Sequence, residues 1–333
     1  MKTKALYGFT PDLEPFAGKT ASEQVQLLAS WGCAAVFGGF RDGAFVDAAH
    51  AAGLKVYAEF GCFVRKSWWD EFPESRPITD TGRPLEPDGW YYGVNPSTVV
   101  VRRRLLKSFG RLLTRHAVDG VWLDFIRWPC HWEAPDPYLP QTSFDAHTLG
   151  RFQRDTGVAV PIEDPALAAE SLLGPNSAQW TAWRCQQINS WVKQARQSMR
   201  RIRPGAILGL FGVPWRLSDH EGAILNVVAQ DYAALAAYVD VFSPMAYHAM
   251  CDQPVHWIGE VADEIRVLTG KPVWPIIQSV DEPRRLPAAE YAAALDVALH
   301  HPASAGVIVF TLKGALEGDR RDITRARFAE ATG

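Results

Sequence analysis

The sequence predicts an α/β fold in which eight strand and helix units close into a (β/α)8 TIM barrel, and three observations carry that prediction. Short apolar runs rich in β-branched and aromatic residues recur along the chain, and longer stretches of helical period separate them. No linker, low-complexity tract or shift of composition divides the 333 residues, so a single barrel domain over 1–333 is expected. The strand candidates are 5–9, 34–38, 55–61, 120–126, 206–212, 239–246, 272–278 and 306–311. Helices with apolar positions at spacings of 3 and 4 are expected over 22–31, 43–52, 98–116, 143–155, 178–203, 231–238, 255–269, 288–300 and 323–331. Ser22 is placed to open the first, Gly53 to close the second, and Pro204-Gly205 to stop the long fifth. A doubly wound sheet is the alternative, but it requires a reversal of strand order.

A chain with 47% hydrophobic and 21% charged residues buries a large core, which excludes disordered and fibrous classes. Its 34 Lys and Arg against 37 Asp and Glu leave a net charge of -3, too little field to hold a polyanion. No nucleic-acid partner is therefore expected, a local basic patch aside. No apolar run approaches the ~18 residues of a membrane span, and the opening MKTKALYGFT has no signal-peptide pattern, so a cytoplasmic protein away from membranes is expected. Five cysteines without a CxxC pair fit reduced thiols rather than a disulfide framework.

Catalytic groups in such barrels sit at the C-terminal ends of strands and on the loops that follow. The segments after the third, fourth and fifth strands, 62–96, 127–142 and 211–230, are long enough to wall a cleft there. In VWLDFIRWP, period two puts Trp122, Asp124 and Ile126 on one side and Leu123 and Phe125 on the other. A mid-strand carboxylate is costly to bury, so Asp124 reads as a catalytic group, with an ion pair to Arg127 as the structural alternative. Glu59 in LKVYAEFGCF is a second such acid on the adjacent strand, either catalytic or paired with Arg65 or Arg127. Two carboxylates about 5 to 9 Å apart are the machinery of glycoside hydrolysis. Asp252 and Glu282 are rivals for the second role, while Asp119, at the start of its strand, reads as structural.

Tyr247, His248, Gln278 and Asn95 follow or close strands and are candidates to contact a sugar, each against a packing or turn role. The tryptophans Trp68, Trp69, Trp90, Trp128, Trp132 and Trp215 fall in post-strand loops, where indoles stack on sugar faces; Trp183 and Trp191 read as core. Serine-hydrolase, P-loop, zincin and Rossmann motifs are missing, and no cofactor is called for. The first strand lacks HxH, although Glu59, Asp124, His131, His248, Cys62, Cys130 and Cys251 include metal-ligand types. Arg-rich stretches at 102–107 and 196–203 read as solvated helix faces.

Three segments together resemble the bacterial glycosyl-hydrolase-like family ten. VNPSTVVVRRRLLKSFGRLLTRHAVDGVWLDFIRWP is similar to that family's NP…VR…VDGIHLDYIRYP stretch, AQDYAALAAYVDVFSPMAYH to its YVD-ISPM-YP stretch, and PVWPIIQ more weakly to its seventh-strand WLQ. The resemblance implies a TIM barrel that hydrolyses a glycan, often one containing amino sugars. It carries over Asp124, Arg127, Tyr247 and Gln278 as site positions, and departs at His248, where the family has Pro. Family members are commonly exported. The combined expectation is a glycoside hydrolase with Asp124 and Glu59 catalytic and Arg127, Tyr247, His248, Asn95, Gln278, Trp128, Trp215 and Trp90 on the substrate. A sugar-binding barrel without catalysis and a metal-dependent isomerase or hydrolase are the alternatives.

Overall fold

The computed structural model describes residues 2–330. All eight expected strands are present: β1 Thr3–Phe9, β2 Ala35–Gly38, β3 Lys55–Gly61, β4 Gly120–Asp124, β5 Ile207–Gly212, β6 Val241–Pro244, β7 Ile276–Gln278 and β8 Gly306–Phe310. They pair in parallel in the order β6-β5-β4-β3-β2-β1-β8-β7. Parallel bridges Phe242 to Val273 and Met245 to Ile276 join the two edges, so the sheet closes into a barrel. Strands covered on both faces read as continuous apolar runs, which is why their positions were legible.

Strand ends differ from expectation for local reasons. β6 and β7 are shorter than 239–246 and 272–278, and Pro244, Pro272 and Pro275 in these stretches have no N–H for the ladder. β4 stops at Asp124 because Phe125 adopts φ +48, in the left-handed region. That turn breaks the two-residue alternation and swings the Phe125 ring to the same cavity as Asp124.

Helices follow the strands, with changes at their ends. The first, Ala21–Ser30, is capped by Thr20 rather than opened by Ser22: Thr20 and Glu23 form a reciprocal capping box. The long helices Val99–Arg115 and Ser177–Ile202 pack side by side over the barrel. An additional helix, Pro165–Leu173, was not expected, and 231–238 yields only the turn Tyr232–Leu235. Residue 331 of the expected last helix lies outside the described residues; the helix itself covers Arg320–Glu330. Arg102 is buried, donating to the carbonyls of Pro96 and Gln187 and to Ser190, so it is no solvated face residue.

Aromatic rings fill the barrel interior. Trp122 on β4 stacks on Trp274 at 5.4 Å and meets the rings of Tyr57 at 4.6 Å and Phe37 at 5.0 Å. Gly209 on β5 makes room for it, since a Cβ there would lie 2.1 Å from the indole. The indole N–H donates across the barrel to Ser243 Oγ on β6 at 2.9 Å. This layer is the floor on which the polar groups above it stand. The five cysteines are all buried and unpaired, and among the described residues no helix is long and apolar enough to cross a membrane.

Candidate active site

A cavity of about 660 Å3 opens at the C-terminal end of the barrel. Its polar lining is Tyr7 from β1, Glu59 from β3, Asp124 from the end of β4, Arg127 and Glu133 from the loop after β4, Tyr247 after β6 and Glu282 after β7. Trp90, Phe125, Met245, Met250, Pro283 and Phe310 supply the apolar lining. Half of the expected site residues, namely Asp124, Glu59, Arg127, Tyr247 and Trp90, are thus brought to one cavity.

Glu59 and Asp124 lie on neighbouring strands, with Gly61 in register with Asp124 and Glu59 one pleat below. Burial raises the Asp124 carboxyl above the ordinary carboxylate range and the nearby Glu59 charge raises it further, while Arg127 and the Phe125 N–H oppose the shift. Burial likewise raises Glu59, against the hydrogen bond it accepts from the Tyr7 hydroxyl. Asp124 Oδ1 also accepts from the Phe125 N–H at 2.6 Å, a bond that the left-handed turn makes.

Arg127 is buried with Nη1 4.0 Å from Asp124 Oδ1, and its guanidinium lies 4.7 Å from the Phe125 ring centre. Its Nε and Nη1 are buried and find no hydrogen-bond partner in the protein, although the residue borders the cavity. The Tyr247 ring is fixed between Trp132 at 5.8 Å and Phe310 at 5.0 Å. Burial, with Glu133 and Asp124 nearby, keeps its hydroxyl protonated far beyond neutral pH.

The other expected residues stand in the walls rather than the lining, which corrects the expectation of direct sugar contact. Asn95 is buried and ties its loop to the start of the helix Ala146–Thr156, donating to Asp145 and Thr148 and accepting from the Ser97 N–H. Gln278 accepts from the N–H groups of Ala249 and Met250 and donates to the Glu282 carbonyl, so it holds together two loops whose Met250 and Glu282 do reach the cavity. His248 is buried against Glu290 at 3.0 Å. Burial lowers its pKa and Glu290 opposes that shift.

The tryptophans need the largest correction. Trp128 is fully buried, donating to the Arg184 carbonyl with the Arg184 guanidinium over its ring. Trp215 is buried beside His220 and borders a separate cavity of about 140 Å3. Trp68, Trp69 and Trp132 are buried too, and Trp90, 70% exposed, is the one tryptophan lining the main cavity. Long loops bury indoles to make cores of their own, and sequence position does not separate that use from ligand stacking.

Glu133, Tyr7, Phe125 and Phe310 are among the lining residues that escaped the sequence reading. Glu133 sits in CHWEAP with no periodicity to mark it; burial raises its pKa, Arg127 opposes the shift and Glu282 adds to it, although the side chain keeps solvent access. Tyr7 had a signal, a polar-tipped aromatic within an apolar first strand. Phe125 and Phe310 had none beyond their strand ends. Asp252, a rival for the second carboxylate, is exposed and does not line the cavity, whereas the rival Glu282 does. Among the described residues no group of three or more His, Cys, Asp or Glu is arranged to hold a metal ion.

Solved structures share this architecture. A β-galactosidase from the psychrophilic Marinomonas ef1 superposes with a TM-score of 0.70 at 13% identity, covering 99% of this chain and 59% of that one. The PgaB (BpsB) glycoside hydrolase domain from Bordetella bronchiseptica gives 0.69 at 13% identity, covering 97% of this chain and 98% of the domain. An α-L-fucosidase from Paenibacillus thiaminolyticus gives 0.63 at 12% identity, covering 100% and 49%. The shared property is the fold. The chain spans less than two thirds of the galactosidase and of the fucosidase, but nearly the whole of the BpsB domain. No protein-family model and no curated protein sequence matches the chain.

Proposed function

We propose that the protein hydrolyses O-glycosidic bonds of an oligo- or polysaccharide by carboxylate acid and base chemistry, without a cofactor. The observation that carries this reading is that Asp124 and Glu59, on adjacent strands, line one cavity at the C-terminal mouth of the barrel, where burial raises the pKa of both. The structures of similar fold named above are glycoside hydrolases, which supports the same reading.

The hydrogen bond from Tyr7 favours the ionised form of Glu59, and burial with the Glu59 charge raises Asp124 against Arg127 and the Phe125 N–H, so we assign the proton to Asp124. Asp124 then donates it to the leaving glycosidic oxygen, and Glu59 acts as the base or nucleophile at the anomeric carbon. Arg127 holds positive charge beside Asp124, Tyr247 offers its hydroxyl to sugar oxygens, and Trp90 covers an apolar sugar face. Glu59, Asp124, Glu133 and Glu282 outnumber the single guanidinium in the lining, a field that suits a sugar bearing a protonated amine better than a uronate.

The test is a product screen over neutral, N-acetylated and free-amine oligosaccharides with wild type and Asp124→Asn in parallel, metal content being assayed on the same samples. Cleavage by wild type with a loss of about 10^3-fold or more in Asp124→Asn is expected. Affinity without product over long incubation would indicate a sugar-binding barrel. Activity that tracks a stoichiometric metal and disappears on chelation would indicate a metalloenzyme.

A further inference from the structure

The proposed hydrolase leaves a second cavity unused. It measures about 350 Å3 and opens beside the ends of β2 and β3, with Glu59 on its wall as well as on the wall of the main cavity. Four arginines from three parts of the chain converge on it: Arg41 after β2, Arg65 after β3, and Arg111 with Arg115 one turn apart near the end of the helix Val99–Arg115.

These four arginines are exposed at the cavity, and their guanidiniums have no protein partner of the kind that holds two of their neighbours on the helix. On the same helix Arg102 is satisfied by two carbonyls and a serine, and Arg104 pairs with Glu71 at 3.0 Å. Among the described residues no carboxylate lies within ion-pair distance of Arg41, Arg65, Arg111 or Arg115, and no guanidinium hydrogen bond satisfies them. Aromatic rings back two of them, Arg65 over Trp68 at 4.3 Å and Arg41 over Phe40 at 5.6 Å. Arg111 and Arg115 repel each other at this spacing. The helix C-terminus favours a cation at Arg115, but it does not explain why Arg41 and Arg65 face the same space.

We propose that this cavity binds the phosphate group of a small phosphorylated ligand. Planar guanidiniums grip phosphate oxygens two at a time, a dianion neutralises charges that otherwise repel, and the Ser108 hydroxyl on the same helix face adds a donor. The volume takes a ligand of monosaccharide size rather than a bare ion alone. The net charge of -3 conceals this site, because the basic groups are concentrated in one concavity.

Calorimetric titration of the full chain with inorganic phosphate, glucose 6-phosphate and glucose tests the proposal independently of any hydrolase activity. Both phosphates are expected to bind with an affinity that weakens as salt rises, and glucose is not. Equal affinities would identify free phosphate as the ligand, and tighter binding of the sugar phosphate would identify a phosphorylated sugar. Arg65→Ala and Arg111→Ala should each weaken binding about tenfold, and Arg111→Lys less, because the charge remains but the fork is lost. Arg200→Ala, exposed on another helix, should change nothing. No binding by wild type at about 10 mM phosphate, weaker than the usual range of specific complexes, overturns the proposal. Unaltered affinity in a folded Arg65→Ala/Arg111→Ala double variant does so equally.

Discussion

In the proposed mechanism one hydroxyl, that of Tyr7, bears on the protonation of two acids. A donor on Glu59 lowers its pKa against the rise from burial, and an ionised Glu59 raises Asp124 in turn. The sign of each perturbation follows. In Tyr7→Phe the donor is lost, Glu59 is harder to ionise, and the acid limb of the kcat/KM profile should move to higher pH while the variant stays active. In Glu59→Gln a negative charge is lost next to Asp124, so the Asp124 titration, followed by carboxyl carbon NMR, should move to lower pH. A Tyr7→Phe profile unmoved or shifted the other way would remove Glu59 from the acid limb. Both acids were legible from sequence because a carboxylate in an apolar strand is conspicuous. Glu133 was not, since a loop offers no period against which a charge stands out.

At the scale of elements, the opposite end of the barrel is held by Asp119, just before β4. It accepts from the Val56 N–H on β3 at 2.9 Å, from Lys55 at 3.0 Å, and contacts His50 of the helix Gly43–Ala51 at 2.9 Å. Burial pushes its carboxyl pKa up, but these partners outweigh burial and hold it below the ordinary value. A depressed folded pKa contributes stability that is present above the unfolded value and lost as pH falls through the folded one. Asp119→Ala should cost about 1–3 kcal/mol at neutral pH, discounted for the exposure of Lys55, and the difference from wild type should shrink on acidification. Urea unfolding at neutral and acidic pH measures both. The structural reading of Asp119 came from its place at a strand start, and the strands themselves came from their apolar runs. What the runs could not convey were the ends, set by prolines without N–H groups in β6 and β7 and by the left-handed Phe125 in β4.

Over the whole molecule, the long loops after β3, β4 and β5 do two jobs that sequence cannot tell apart. Six loop tryptophans on one side suggested an aromatic cleft, yet five of them are buried, and Trp128 lies under the Arg184 guanidinium. Loops that long must bury apolar surface of their own before they can hold a cavity open. Trp90 is the exception: its ring stands free at the rim, edge-on to Phe125 at 5.7 Å and Tyr91 at 5.9 Å, and borders both the main cavity and the smaller one of about 200 Å3 beside Arg127. The two kinds of tryptophan therefore separate by measurement. Trp128→Ala should cost about 3–5 kcal/mol of stability through the void it leaves. Trp90→Ala should leave the unfolding midpoint close to wild type and raise KM about tenfold with little change in kcat, the signature of lost binding shared by ground and transition states. A Trp90→Ala variant that lost stability but kept its KM would make that indole part of the loop core and leave the cavity without an aromatic platform.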